Sequence, residues 1–153
     1  MDRDQEIILF VYSLYSSEEK VSYLQYTAAL VLFFYLKETG HFPAYKNQLL
    51  LYDYKESRRY LWEDKKFMKD INIIRKLGFL IRSRVKTSDF RDVNAHQCST
   101  AGKDFILEES LAKKEYLIAA DNALKCKCGA RFQVVLADKN PELSCEKGCP
   151  SVK

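Results

Sequence analysis

The sequence predicts a mainly α fold with a small β content, closed at its C-terminal end by a cysteine-rich β-ribbon. Three observations carry this. Apolar residues recur at helical spacing through most of the first 120 residues, residues 81–86 alternate instead, and four of the five cysteines crowd into the last 28 residues. At 153 residues the chain has room for one well-cored domain and a small appendage. The composition shifts near residue 120, which divides the chain into 1–120 and 121–153.

Residues 4–15 (DQEIILFVYSLY) form an apolar run bounded by Ser16-Ser17-Glu18-Glu19 and read as a helix. Residues 20–38 read as a second helix, apolar on nearly all sides, with Tyr23, Tyr26, Leu30, Phe33 and Phe34 at helical spacing and Gly40 and Pro43 as its stop. A helix of this kind needs cover on more than one face, from the rest of the domain or from a second copy of the chain, and a homodimer is the expectation. Its apolar run, residues 28–36, is too short to cross a bilayer. Residues 45–52 read as a short amphipathic helix. Residues 57–77 read as a long one, with Tyr60, Leu61, Phe67, Met68, Ile71, Ile74 and Leu77 on its core face. Gly78 stands where a C′ residue ends such a helix. Residues 79–86 then read as a strand, Thr87-Ser88-Asp89 as a turn, and 91–98 as the returning strand. A last helix starts with Ser99 or Thr100 as N-cap and runs to Ala120. Beyond it, residues 131–137 read as a strand and Asp138-Lys139-Asn140-Pro141 as a turn.

The cysteines fall as Cys126-Lys127-Cys128-Gly129 and Cys145-Glu146-Lys147-Gly148-Cys149, two close pairs separated by sixteen residues. Zinc takes four thiolate or imidazole ligands in a tetrahedron, and two pairs on two turns supply them at small loop-closure cost. The spacing departs from the usual Cys-x2-Cys knuckle, being Cys-x-Cys and then Cys-x3-Cys. The alternatives are two disulfides or free thiols. Disulfides call for an oxidising compartment, and residues 1–6 are charged and mostly acidic, unlike a secretory signal. The expectation is therefore a structural zinc in a cytoplasmic, or in a eukaryote nuclear, protein.

Net charge is +4, and its distribution matters more than its size. Residues 55–91 hold 12 basic and 5 acidic side chains, while the segments before and after net −3 and 0. A concentrated basic block of this kind is the usual footprint of a polyanion site.

Several local features resemble a winged helix-turn-helix domain. The order helix, helix, short helix, long basic helix, hairpin, helix is one. Ile74-Arg75-Lys76-Leu77-Gly78-Phe79-Leu80 is similar to the exit of a recognition helix, where a helix ends at Leu-Gly and a strand starts at once. The alternating Arg82, Arg84 and Lys86 look like a wing. Ser99-Thr100-Ala101-Gly102-Lys103-Asp104-Phe105 is similar to the Leu-Thr-x-x-Gly start of the post-wing helix in MarR-like and PadR-like regulators. Here Cys98 and Ser99 replace the usual apolar residue, and Gly102 comes one position early. The likeness covers roughly residues 42–110. The C-terminal part resembles a zinc ribbon, and a winged helix joined to one recurs in archaeal and eukaryotic transcription machinery.

The resemblance implies a transcriptional regulator that binds double-stranded DNA. Arg58 and Arg59, at the start of the basic helix, would reach base edges in the major groove; Lys65, Lys66 and Lys69 would meet phosphates. Arg82, Arg84 and Lys86, with Arg91 on the returning strand, would line one side of a wing against phosphates or the minor groove. Glu63, Asp64 and Asp70 share the basic helix and would repel a nucleic acid unless paired, as Asp70 could be with Lys66 one turn earlier. A protein-interaction module is the other reading, one that docks on a larger assembly such as a polymerase or membrane-remodelling complex and touches no DNA. His96 and Cys98 form a His-x-Cys pair without further partners, which reads as a strand residue and a buried thiol. With two histidines and no phosphate loop, nucleophile elbow or paired carboxylates, an enzyme is not expected.

Overall fold

A computed structural model of the chain describes residues 1–41, 49–54, 57–62, 65–85, 93–108, 113–137 and 140–149. In chain order its elements are α1 (Arg3–Tyr15), β1 (Leu24–Gln25), α2 (Tyr26–Glu38), β2 (Leu49–Tyr54), β3 (Ser57–Trp62), α3 (Lys65–Lys76), β4 (Leu80–Val85), β5 (Val93–Cys98), α4 (Thr100–Glu108), α5 (Glu115–Ala123), β6 (Phe132–Ala137) and β7 (Asn140–Cys145). Among the described residues the fold is thus mixed helix and sheet, with five helices and three small antiparallel sheets. It divides into two compact units, each discontinuous in sequence. Met1–Tyr26 and Lys65–Ile118 make the first, and Thr27–Asp64 and Ala119–Lys153 the second. The boundary read at 120/121 falls near the Ile118/Ala119 division, but residues 27–64 group with the C-terminal segment.

In the first unit α1 is the central element. Asp2 caps it reciprocally with Gln5: the Gln5 N–H donates to Asp2 Oδ1 (2.9 Å) and the Asp2 N–H to Gln5 Oε1 (3.2 Å). Residues 4–12 are all buried, as α1 packs on α3, α4 and β5. Ile7, Ile8, Leu9, Val11 and Tyr12 join Phe67, Ile71 and Ile74 of α3 in the core. Gln5 and Glu6, brought inside with this helix, find partners, as burial requires. Gln5 Nε2 donates to Asp70 Oδ1 (2.9 Å), and Glu6 accepts from the Lys114 ammonium (2.8 Å) and the Tyr116 hydroxyl. The sheet runs β1-β5-β4, with β4 and β5 in register from Leu80↔Cys98 to Val85↔Val93. The turn at residues 16–22 is stitched to the end of β5. Cys98 N–H donates to Ser16 Oγ (2.9 Å), and Gln97 Nε2 to the carbonyls of Ser17 and Ser22 (3.3 Å each).

Gly78 closes α3 as expected. It lies at φ +82°, its N–H donates to the Arg75 carbonyl, and that of Phe79 reaches back to Ile74, the paired bonds of a Schellman end. Ser99 caps α4 by accepting from the Gly102 N–H (3.0 Å). Phe79 then stacks on Phe105 at 4.6 Å between ring centroids.

Four expectations are corrected. The helix expected over 20–38 begins at Tyr26, because Leu24 and Gln25 pair with His96 and Ala95 as β1. The short helix expected over 45–52 is strand from Leu49 onward. The first part of the long helix expected over 57–77 is β3, paired with β2 from Leu49↔Trp62 to Tyr54↔Ser57, and among the described residues of that stretch the helix is Lys65–Lys76. Tyr52, Tyr54, Tyr60 and Trp62 are aromatic residues that favour strands, and their local pattern suits either period. The helix expected from 99 to 120 is two, α4 and α5.

In the second unit, Ala29, Leu30, Leu32, Phe33 and Leu36 of α2 are buried within the single chain. Tyr35 meets Phe132 of β6 edge-on at 5.9 Å. No helix among the described residues is long and apolar enough to cross a membrane.

Candidate metal centre and basic strand

The cysteine site is built by one short meander. A bridge between Lys125 and Arg131 folds the chain back, with the Cys126 N–H donating to the Ala130 carbonyl (2.7 Å) and the Phe132 N–H to that of Leu124 (2.8 Å). This turn carries Cys126 and Cys128. From there β6 and β7 pair in register from Ala137↔Asn140 to Phe132↔Cys145, so the chain returns Cys145 and Cys149 to the same end. Asp121 of α5 holds the first turn in place, accepting from Arg131 (2.7 Å) and Lys125 (3.3 Å).

The two cysteine turns are built alike. Gly129 N–H donates to the Cys126 carbonyl and Gly148 N–H to the Cys145 carbonyl, both at 2.9 Å, and the two glycines lie at φ +87° and +82°. That left-handed conformation is cheap only without a Cβ. Each turn is therefore Cys-x-x-Gly, a repeat visible in the sequence behind the unequal cysteine spacing.

The Sγ atoms of Cys126, Cys128, Cys145 and Cys149 all lie within 4.8 Å of one another, and those of Cys128 and Cys145 are 3.5 Å apart. A zinc–sulfur bond of about 2.3 Å in a tetrahedron sets sulfurs about 3.8 Å apart, so the cluster has the size that a metal needs. Cys145 is 1% exposed and packs with Cys126, Ala130 and Phe132, so part of the site is shielded from water. Its thiol is brought down to about 6, first by the Cys149 N–H, which outweighs burial, and then by the Lys147 N–H and the thiols of Cys128 and Cys126. Cys149 is pushed up to about 12 by hydrogen bonds with the other three thiols. The four thiols are thus coupled to one another through hydrogen bonds, an arrangement a divalent cation would replace by binding four sulfurs. The residues therefore fit a structural metal with a closed ligand set. Cys98 stands apart in the first unit, buried on β5, where burial pushes its thiol up to about 11.

The basic residues are dispersed. Arg58 and Arg59 lie on β3, in the second unit, and not at the start of a recognition helix as expected. Lys65 opens α3. Lys66 donates to Asp70 (3.0 Å) and lies 3.9 Å from Asp4, so the i, i+4 pairing expected of Asp70 forms. Lys69 is exposed. Arg82 and Arg84 are exposed on β4, two residues apart and hence on one face, opposite His96 and Asn94 of β5. Lys86 and Arg91 lie outside the described residues, as do Glu63 and Asp64. His96 is a buried strand residue, as its isolation in the sequence implied.

Comparison with protein-family models, curated proteins and solved structures finds no match to this chain.

Proposed function

We propose that this protein is a transcriptional regulator that binds double-stranded DNA through a winged-helix first unit, with a structural zinc in its C-terminal ribbon. The observation that carries the reading is the pair Arg82 and Arg84, exposed side by side on β4. Two guanidinium groups spaced along one strand face suit consecutive phosphates, whose neutralisation releases counterions and supplies most of the affinity. Within the first unit the sheet order β1-β5-β4, with α3 leading into β4–β5 as the wing, supports a winged helix, while α2 beyond Tyr26 groups with the second unit. Residues 39–64, which include β2 and β3, stand between α2 and α3 where a helix-turn-helix has a three- or four-residue turn. The reading therefore rests on the wing and on Lys69 of α3. Arg58 and Arg59 lose the major-groove role, and Lys66 is engaged with Asp70.

The zinc holds two turns together and leaves no open coordination position for chemistry. Fluorescence anisotropy with a random 20-base-pair duplex, titrated at several salt concentrations, tests the reading. Binding tighter than about 0.1 mM at physiological salt, weakening as salt rises, is expected. Weaker binding leaves the docking-module reading in its place. Light scattering on the same sample separates the 17.9 kDa chain from a dimer of twice that mass.

A further inference from the structure

The first unit contains a cleft that lies apart from the cysteine cluster and shares Arg82 with the wing. One wall is α3, where Met68, Asn72 and Arg75 recur at i, i+4 and i+7 and so share a face. The opposite wall is the sheet, where Arg82 and His96 are paired across β4 and β5 and Asn94 lies two residues from His96 on the same side. Tyr26 lines it too, its ring 6.4 Å from that of Phe67. Its volume is about 250 Å³.

The chemistry of this cleft has one sign. Two guanidinium groups and two side-chain amides line it, and no lining residue is a carboxylate. Asp70 is turned to Gln5 and Lys66. His96 is only 3% exposed, and its Nδ1 has no hydrogen-bond partner among the described residues. A buried ring nitrogen left unpaired costs free energy unless something in the site satisfies the imidazole. Its pKa is held down to about 4, by burial first and then by Arg75 and Arg82, so both positive charges are felt at the imidazole. At neutral pH that imidazole is uncharged and has one N–H to donate. Among the described residues Arg82 donates to Asn94 Oδ1, at 3.4 Å, which leaves most of its five donors for something else.

We propose that this cleft binds a small organic anion: a phosphate or carboxylate held by Arg75, Arg82 and the Asn72 and Asn94 amides, on a compact apolar body resting against Tyr26 and Met68. The volume lies just under the roughly 300 Å³ at which pockets for drug-sized ligands begin, which keeps the ligand small. It is nonetheless larger than a bare oxyanion needs, and the Tyr26 ring and Met68 would be left uncovered by one. The site stands whether or not the protein binds a duplex.

Phenyl phosphate is a suitable probe, with inorganic phosphate beside it, in an NMR titration of the full chain that follows the Asn72 and Asn94 side-chain amides. Saturable shifts are expected below about 10 mM, with phenyl phosphate binding about tenfold more tightly than inorganic phosphate. Arg75→Gln should weaken phenyl phosphate about tenfold or more, the loss of one charge-assisted hydrogen bond. Asn94→Asp, at an exposed position where the fold tolerates the change, should weaken it similarly by placing a negative charge in the cleft. Absence of saturable shifts, or unchanged affinity in Asn94→Asp with the rest of the spectrum intact, overturns the proposal. Equal affinity for the two probes overturns the organic-anion assignment. If a duplex shifts these amides and phenyl phosphate does not, the cleft is a nucleic-acid contact and the proposal fails.

Discussion

Cys145 stands directly opposite Phe132 in the β6–β7 ladder, and this one register brings the second cysteine turn against the first. A slip by one residue would send Cys145 to the other face of the ribbon and dismantle the cluster. The protein should accordingly hold one zinc per chain. Cys145→Ser should lose it, and Cys98→Ser, in the other unit, should keep it. Metal analysis of the purified variants checks this, and full retention by Cys145→Ser would show that the ligand set is wrong. Chelation should unfold the ribbon preferentially, because metal binding there is folding free energy.

Gly102 sits where α4 presses on the start of β4. A Cβ there would lie 2.5 Å from the Phe79 carbonyl oxygen and 3.2 Å from the Cys98 sulfur, so Gly102→Ala forces backbone apart. Overpacking of this kind costs about 1–3 kcal/mol, to be read as a lower urea midpoint with unchanged slope. An unchanged midpoint would mean that α4 packs elsewhere.

His96 gives the first unit a pH dependence of definite sign. Its folded value, about 4, lies below the ordinary 6.5, so between these values the unfolded chain takes up a proton that the folded chain excludes. Its contribution to stability is fully present above about pH 6.5 and is lost as pH falls toward 4, at no more than about 1.4 kcal/mol per pH unit. Asp4, pushed up by burial, acts in the opposite direction, so the comparison must be with His96→Gln. Urea unfolding of that variant should show a flatter profile over pH 6.5 to 4.5. Parallel profiles would mean that His96 is protonated in the fold.

Val21 is a β-branched residue at φ +51°, 72% exposed, in the turn that Ser17 and Ser22 close. Left-handed backbone costs such a residue about 1–2 kcal/mol, and no buried contact of its side chain offsets this. Val21→Asn should raise the thermal midpoint. A fall would show that the side chain has a role that its exposure conceals.

The sequence revealed most where a residue's own chemistry decides its structure. The cysteines, the stop at Gly78, the cap at Ser99 and the Lys66–Asp70 pair needed only local spacing. The alternation of Arg82 and Arg84 likewise marked a strand. Longer-range choices were hidden. Leu24 and Gln25 are strand only because His96 and Ala95 lie beside them, 72 and 70 residues away. Arg58 and Arg59 read as helix because Tyr60, Leu61 and Phe67 fit a helical face, whereas pairing with β2 gives the same residues a ladder. The cleft around His96 draws on α2, α3, β4 and β5, and no window of sequence contains it.

The central claim is that the β4 arginines contact duplex phosphates, and the salt dependence of binding tests it most directly. Exposed charges on a strand contribute little to stability, so Arg84→Ala and the Arg82→Ala/Arg84→Ala pair should fold as the wild type does. Each phosphate contact removed should flatten the slope of log affinity against log salt by about 0.9. The account predicts a slope smaller by about 0.9 for the single variant and about 2 for the pair, alike on random and defined sequences. Wild-type slopes in both variants, measured on folded protein, would contradict it.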